Sequence, residues 1–441
     1  MSLERLLIQG GNTLNGKVTI NGAKNSALVL MAASLLGTQD IIVLDNVPRL
    51  ADIEIMAEVL QSLGAKASFT SHHTLEVDAR GLNMHKAPYD LVTQMRASFF
   101  VLGPLVARMG RAEVALPGGC AIGSRPVDLH LKGLEAMGAS IEIEHGNVLV
   151  ETNGPLKGAD YHMAFPSVGA TENLMMAGCL AEGTTYLRNV AREPEIEDLA
   201  NFLNAMGAKI SGAGTDVITI HGVEALKQPI RYSVMPDRIE AGTFMIAAAI
   251  TQGDVVLEKA PVSAMDSLIA AMKEANVTIE IMDNSTLRVK GNKPIKPVHV
   301  RTMPHPGFPT DMQAQMAVLL SVAEGTSSIT ETVFENRFMY VDEMQRMGSQ
   351  MRVDGRTVTI VGEEELSGAP VQGTDLRAAA ALVLAGLIAD GETSVSNLHY
   401  LDRGYEQFEQ KLAALGASIC RVTVQAEKEE SVATSSDLVL C

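Results

Sequence analysis

No tryptophan occurs among the 441 residues, and aromatic side chains make up only 4% of them. The interior must therefore be filled by aliphatic side chains and by methionine, of which there are 23, instead of stacked rings. Cysteine is equally scarce. The four thiols, at positions 120, 179, 420 and 441, lie far apart and form no C-x-x-C pair, so neither a disulfide framework nor a zinc site is signalled. Positive charge is in deficit too: 35 Lys and Arg face 52 Asp and Glu, a net −17. Nucleic acid and anionic membranes need clustered cations, so neither is an expected partner. The longest apolar runs, "ALVLMAASLLG" and "AAAALVLAGLIA", fall short of the roughly 20 residues of a membrane span. No secretory leader pattern is visible, and the expected location is the cytoplasm. Neither G-x-x-x-x-G-K-[ST] nor G-x-G-x-x-G appears, and the ten histidines have no ligand spacing, with "HH" at 72–73 reading as a loop. No cofactor and no metal are expected.

What the chain does contain is a repeat. The phrase "LQSLGAKASF" recurs as "GLEAMGASIEI", "NFLNAMGAKIS", "AAMKEANVTIEI", "EMQRMGSQMRV" and "KLAALGASICRV". Its hinge residues are Gly64, Gly138, Gly207, Asn276, Gly348 and Gly416, spaced by 74, 69, 69, 72 and 68 positions. A helix that turns into a strand commonly ends in a left-handed residue, normally Gly and next Asn, which is the one replacement seen. Upstream, Ile53, Met56, Leu60 and Leu63 lie at helical spacing. Each copy also carries an earlier, more apolar helix, such as "AKNSALVLMAASLL" or "QMRASFFVLGPLVARMG", followed by a β-rich stretch. Each unit thus reads strand, buried helix, strand, amphipathic helix, strand, and the fold class is α/β. The polar tail 425–441 falls outside the last unit.

Charge has a fixed register against this repeat. Lys24 with Asn25, Arg96, Ser167, Arg238 with Glu240, Asp311, and Asp375 with Arg377 begin the first helices; Cys120 with Arg125, Arg192 with Glu193, Arg337, and Asp402 with Arg403 precede the second helices. A helix start already favours anions through its free N–H groups and dipole, so cations placed there suit a multiply anionic ligand better than they suit helix stability. Asp311 and Asp375 have a plainer alternative as helix caps. Cys179, in "MMAGCLAEG", reads as a small core residue. Cys120, in the glycine-rich turn of "LPGGCAIGSRPVDLH", has no packing role; a helix start and a guanidinium nearby lower a thiol pKa and make it reactive.

Ten ordered motifs resemble one family. "NGAKNSAL", "QMRASFFVLGPL", "LPGGCAIGSRPVDLH", "FPSVGATEN", "NVAREPEIEDLANFL", "PDRIEAGTF", "FPTDMQAQ", "TETVFENRFM", "GTDLRAAAALVLAG" and "LDRGYE" are similar to the UDP-N-acetylglucosamine enolpyruvyl (1-carboxyvinyl) transferases, from about residue 5 to 422. The resemblance implies a two-domain inside-out α/β barrel of six βαβαβ-type units, three per domain. It places the domains at 22–235 and at 1–21 joined with 236–441, with the substrate cleft between them. The implied reaction moves the enolpyruvyl group of phosphoenolpyruvate to the 3-hydroxyl of UDP-N-acetylglucosamine, releasing phosphate, the first committed step of peptidoglycan synthesis. A monomer acting on these two small molecules is expected.

By the same resemblance Cys120 is the general acid, Asp311 removes the hydroxyl proton, and Lys24 and Arg403 complete the catalytic set. Phosphoenolpyruvate would be held by Lys24, Asn25, Cys120, Arg125, Arg337, Asp375, Arg377 and Arg403. The nucleotide sugar would meet Arg96, Arg125, Pro126, Val127, Asp128, Leu129, Ser167, Val168, Gly169, Asp311 and Val333. Some family members carry a lysine two residues before the serine matched by Ser167, where this chain has Phe165; others replace the loop cysteine by aspartate, where this chain keeps Cys120 and should react with fosfomycin. Two other readings are open to test: the sister transferase acting on shikimate 3-phosphate, and a catalytically silent UDP-sugar binder.

Overall fold

The protein is described by a computed structural model covering residues 3–116, 127–227 and 229–424. Twelve of the thirteen α-helices among the described residues alternate between two kinds, and the difference follows from composition. The odd-numbered ones are mostly apolar and mostly buried: α1 (Lys24–Ala33), α3 (Leu102–Met109), α5 (Val168–Gly178), α7 (Arg238–Ile250), α9 (Gln313–Leu320) and α11 (Leu376–Ile388). Such helices can only be stable with every face covered, and α7 and α11 are buried along nearly their whole length. The even-numbered ones carry a single apolar stripe and lie between the inner helices and solvent: α2 (Ala51–Ser62), α4 (Asp128–Ala136), α6 (Pro194–Ala205), α8 (Asp266–Glu274), α10 (Tyr340–Arg346) and α12 (Phe408–Ala414). The hinge residue after each even helix has positive φ: Gly64 at 97°, Gly138 at 92°, Gly207 at 108°, Asn276 at 71°, Gly348 at 90° and Gly416 at 108°. The fourth copy thus keeps the left-handed geometry with asparagine.

Among the described residues there are six sheets of three or four strands, and a further two-stranded pair of 366–367 with 389–390. Strand order is 231–233, 42–45, 75–78, 66–69 in the first and 209–211, 217–221, 184–188, 160–162 in the third; the fourth runs 278–283, 286–290, 254–258, 15–19, and the fifth 299–301, 326–330, 357–361, 350–354. Each has one parallel edge strand, and the remaining pairs are antiparallel. Side chains along them alternate between covered and exposed, as in Thr357–Val361, which suits sheets with one wet face. The sixth sheet, 370–372, 392–396, 3–9, 418–424, uses the first strand of the chain between two of the last.

The second unit departs from the expected pattern. Its sheet has only 111–115, 147–151 and 140–144, with a bridge between Lys86 and Glu113 where the others have a parallel strand. Its inner helix is not continuous from Gln94. A short helix, Tyr89–Gln94, and a 3₁₀ segment, Arg96–Val101, come first, and regular α-helix begins only at Leu102. Pro104 is the reason: it lacks the N–H of a helix interior and is tolerated only in a first turn.

Buried apolar side chains form two separate clusters, one from Ala27 to Val234 and one from Leu6–Ile20 together with Ile239–Ala417. The chain crosses between them twice, side by side. Gly22 bridges Pro236, Ala23 N–H donates to Met235 O at 2.7 Å, and Asp237 N–H donates to Asn21 O at 2.8 Å. A Cβ on Gly22 would sit 1.7 Å from Asn46 O, so only glycine fits this crossing. Among the described residues no helix is long and apolar enough to cross a membrane.

Candidate active site

The charges that begin the inner helices come together where the two clusters meet, and most are already paired. Lys24, the first residue of α1, is buried, and its Nζ lies 3.0 Å from Asp52 Oδ2. The other oxygen of Asp52 accepts from Arg403 Nε at 2.8 Å. Asp52, in the first turn of α2, thus ties a lysine of one cluster to an arginine beside the other. Burial is the main influence on Lys24; with the nearby Arg377 and Arg403 charges it outweighs the attraction of Asp52 and lowers the ammonium pKa below 10.5. Asn25 is the one residue of α1 not buried.

A second arrangement repeats the first. Asp311 Oδ1 accepts from Arg337 at 2.7 Å and Oδ2 from Arg377 at 3.1 Å. Burial would raise this carboxyl, but the charges of Arg377 and Arg337, the hydrogen bond from Arg337 and the charge of Arg238 hold it well below the usual carboxylate range. Asp311 lies in a 3₁₀ turn, Thr310–Met312, and caps no helix. Asp375 takes the plainer role: its Oδ1 accepts from the N–H groups of Arg377 and Ala378 at 2.8 and 3.0 Å, capping α11. That cap orients Arg377, whose guanidinium also lies over the Tyr405 ring at 5.5 Å. Nη1 of Arg337 and of Arg377 is buried and meets no hydrogen-bond acceptor among the described residues. Donors in that condition suit an arriving anion.

Several cations at the helix starts are thus paired with carboxylates. Four cations, Lys24, Arg403, Arg337 and Arg377, share two carboxylates, Asp52 and Asp311, which leaves an excess of two positive charges. Arg238 at the start of α7 is neutralised one to one by Glu195, both nearly buried, at 3.0 Å. Glu195 in turn repels Glu172, fully enclosed in α5; burial first, then Glu195 and Glu193, push Glu172 well above its ordinary value.

The residues expected around the nucleotide gather at the starts of α4 and α5. Ser167 caps α5 by accepting from Ala170 N–H at 3.4 Å. Val127 precedes α4, Asp128 opens it and pairs with Lys132, and Leu129 O accepts from Tyr161 Oη at 3.2 Å. His130 organises this corner. Asn173 Oδ1 accepts from Gly103 N–H at 2.8 Å, so its amide nitrogen faces His130 Nδ1 at 3.1 Å and donates to it. The proton of the neutral ring therefore sits on Nε2. Burial, helped by the Arg96 charge, pushes the His130 pKa down to about 4. A Cβ at Gly169 would come within 3.2 Å of His130 Cε1, so a side chain there would crowd the ring. Val333 belongs to the Asp311 side: its N–H donates to Glu331 Oε1 at 2.7 Å, while Glu331 Oε2 accepts from Thr310 Oγ1 at 2.8 Å. Phe165 is 47% exposed. Cys120, Arg125 and Pro126 lie outside the described residues, as does the tail 425–441.

Sequence reasoning did not single out Asp52, Glu195, Glu331 or His130. An acid in a first helical turn has an ordinary dipole explanation, and only its distant partners reveal another.

The fold is an α/β architecture with two cores, and the doubled carboxylate–cation arrangement lies where they meet. The sequence pattern of the EPSP synthase (3-phosphoshikimate 1-carboxyvinyltransferase) family matches residues 8–412, and the chain belongs to this family of enolpyruvyl transferases. Among curated relatives, the UDP-N-acetylglucosamine 1-carboxyvinyltransferase of Desulfatibacillum aliphaticivorans is 52% identical over 420 residues, 95% of this chain and 100% of the relative. Among solved structures, the enolpyruvyl transferase NikO from Streptomyces tendae has a TM-score of 0.87 at 27% identity, covering 96% of this chain and all of that one. EPSP synthase from Acinetobacter baumannii shares the fold with a TM-score of 0.74 at 20% identity, over 95% of this chain and all of that one. The α/β reading and its two-domain inside-out barrel agree with these neighbours.

Proposed function

We propose that this protein transfers the enolpyruvyl group of phosphoenolpyruvate to the 3-hydroxyl of UDP-N-acetylglucosamine with release of phosphate, the step that commits the sugar to peptidoglycan. The relative at 52% identity carries that name over nearly the whole chain. The observation that supports the chemistry most directly is Asp311 between Arg337 and Arg377, beside the Lys24–Asp52–Arg403 trio. Phosphoenolpyruvate brings a phosphate and a carboxylate to a place with two unmatched positive charges. Two domains, 22–235 and 1–21 with 236–441, would meet around it.

The reaction adds the sugar oxygen to C2 of phosphoenolpyruvate while a proton goes to the methylene carbon, giving a tetrahedral ketal. Loss of phosphate and of a methyl proton then restores the double bond. Cys120 is the proposed proton donor and Asp311 the proposed acceptor of the hydroxyl proton. In the arrangement described, Asp311 is a poor base, because two guanidinia stabilise its charge. An anion that takes over Arg337 and Arg377 removes that stabilisation and raises the Asp311 pKa. Substrate binding therefore activates the base. Arg125 would grip the phosphate beside Cys120; Arg96, the segment Arg125–Leu129, Ser167–Gly169 and Val333 would hold the nucleotide sugar.

Phosphate release from phosphoenolpyruvate is the deciding measurement. Release that requires UDP-N-acetylglucosamine is expected. Release with shikimate 3-phosphate in its place would favour the sister activity, and UDP-sugar binding without release would leave a silent binder.

A further inference from the structure

The histidine pair at 72–73, which in sequence is only a loop between the strands 66–69 and 75–78, acquires a partner through the fold. His73 Nε2 lies 3.1 Å from both oxygens of Glu406, and His72 Nδ1 lies 3.8 Å from Glu406 Oε1. One donor atom from each of the three residues falls within 4.8 Å of the others. The carboxylate is held from behind: Oε2 accepts from Asn21 Nδ2 at 3.1 Å and from Arg49 N–H at 3.0 Å. Oε1 is turned to the two imidazoles. Glu406 is 7% exposed, whereas the histidine side chains are 63% and 40% exposed.

We infer that His72, His73 and Glu406 form a binding site for a divalent transition-metal ion, zinc by the chemistry of its donors, that clasps the two halves of the molecule together. Two imidazoles and one carboxylate are a nitrogen–oxygen set that zinc favours, with a fourth position left to water. Tetrahedral zinc with bonds of about 2.0–2.2 Å separates its donors by about 3.3 Å. The observed spacings bracket that value, so small rotations of the exposed rings complete the site. The second sphere is already present, since Asn21 and Arg49 fix the carboxylate. Ligands come from opposite sides of the double crossing. Glu406 follows Arg403 by three residues, so an ion here would also hold the Arg403–Asp52 contact in place.

The test is titration of the full chain with Co²⁺, followed by its visible absorption, together with the Tm shift produced by Zn²⁺. One equivalent of Co²⁺ with a tetrahedral spectrum and a raised Tm are expected. The double variant His72→Asn/His73→Asn, which changes only exposed side chains, and Glu406→Gln on the other half should each lose both signals. Outer-sphere partners alone are worth about 10–100-fold in affinity, so loss of true ligands should weaken binding at least that much. Equal binding by the double histidine variant would place the ion on other residues and overturn the proposal. So would the absence of any spectral or Tm change at about millimolar metal.

Discussion

Asp52 Oδ1 receives the Nε–H of Arg403 at 2.8 Å, across 351 positions of sequence. The same carboxylate holds Lys24 with its other oxygen. One buried acid therefore sets the spacing of two cations proposed to bind a phosphate, and it does so from a helix whose remaining acids face solvent.

Removing that acid should do more than weaken a contact. Asp52→Ala leaves Lys24 buried without a counterion, a change that costs about 3–5 kcal/mol in comparable buried pairs. Arg403 is partly exposed and adds little to that figure. Urea unfolding should show a lower midpoint, and KM for phosphoenolpyruvate should rise. A variant as stable as the parent would mean that Asp52 is not the counterion of Lys24.

The alkaline limb of activity should report Lys24. Its folded-state pKa is lowered, first by burial and then by Arg377 and Arg403, against the pull of Asp52. The ammonium therefore loses its proton below pH 10.5, and the grip on an anion weakens where an ordinary lysine is still charged. The stability relation runs the other way: the neutral form's contribution is fully present above 10.5 and is lost as pH falls through the lowered folded value. Plotted against pH, kcat/KM should decline in that window for the parent and hold to higher pH in Lys24→Arg. Superimposable profiles would remove Lys24 from the anion site.

Fosfomycin should add once, at Cys120, and abolish turnover. Cys179 cannot compete, because burial pushes its thiol up to about 12. Cys420 is exposed but has no catalytic motif around it. Intact-mass measurement should show a single adduct in the parent and none in Cys120→Ala. Full activity after prolonged incubation would sink the assignment.

How much of this was legible beforehand depends on whether the signal is local. The left-handed hinges were readable because each is fixed by its own helix end, down to Asn276 in the fourth copy. Asp375 and Asp311 look alike in sequence, each an acid near a helix start. One became a cap and the other an ion-paired carboxylate because Arg337 approaches only Asp311. The helix expected from Gln94 failed at Pro104, a local rule given too little weight. Asp52, His130 and Glu406 were silent because each takes its meaning from residues tens to hundreds of positions away.

The first strand lies between 392–396 and 418–424. During synthesis Leu3–Gln9 is made hundreds of residues before its two neighbours. That strand must wait as an unpaired edge while nearly the whole polypeptide is produced, whereas the cluster from Ala27 to Val234 can close as soon as its last strand, 231–233, emerges. The order of birth and the order of assembly are opposed in this chain. The cluster that takes in Leu3–Gln9 is the one completed only after 418–424 has been made.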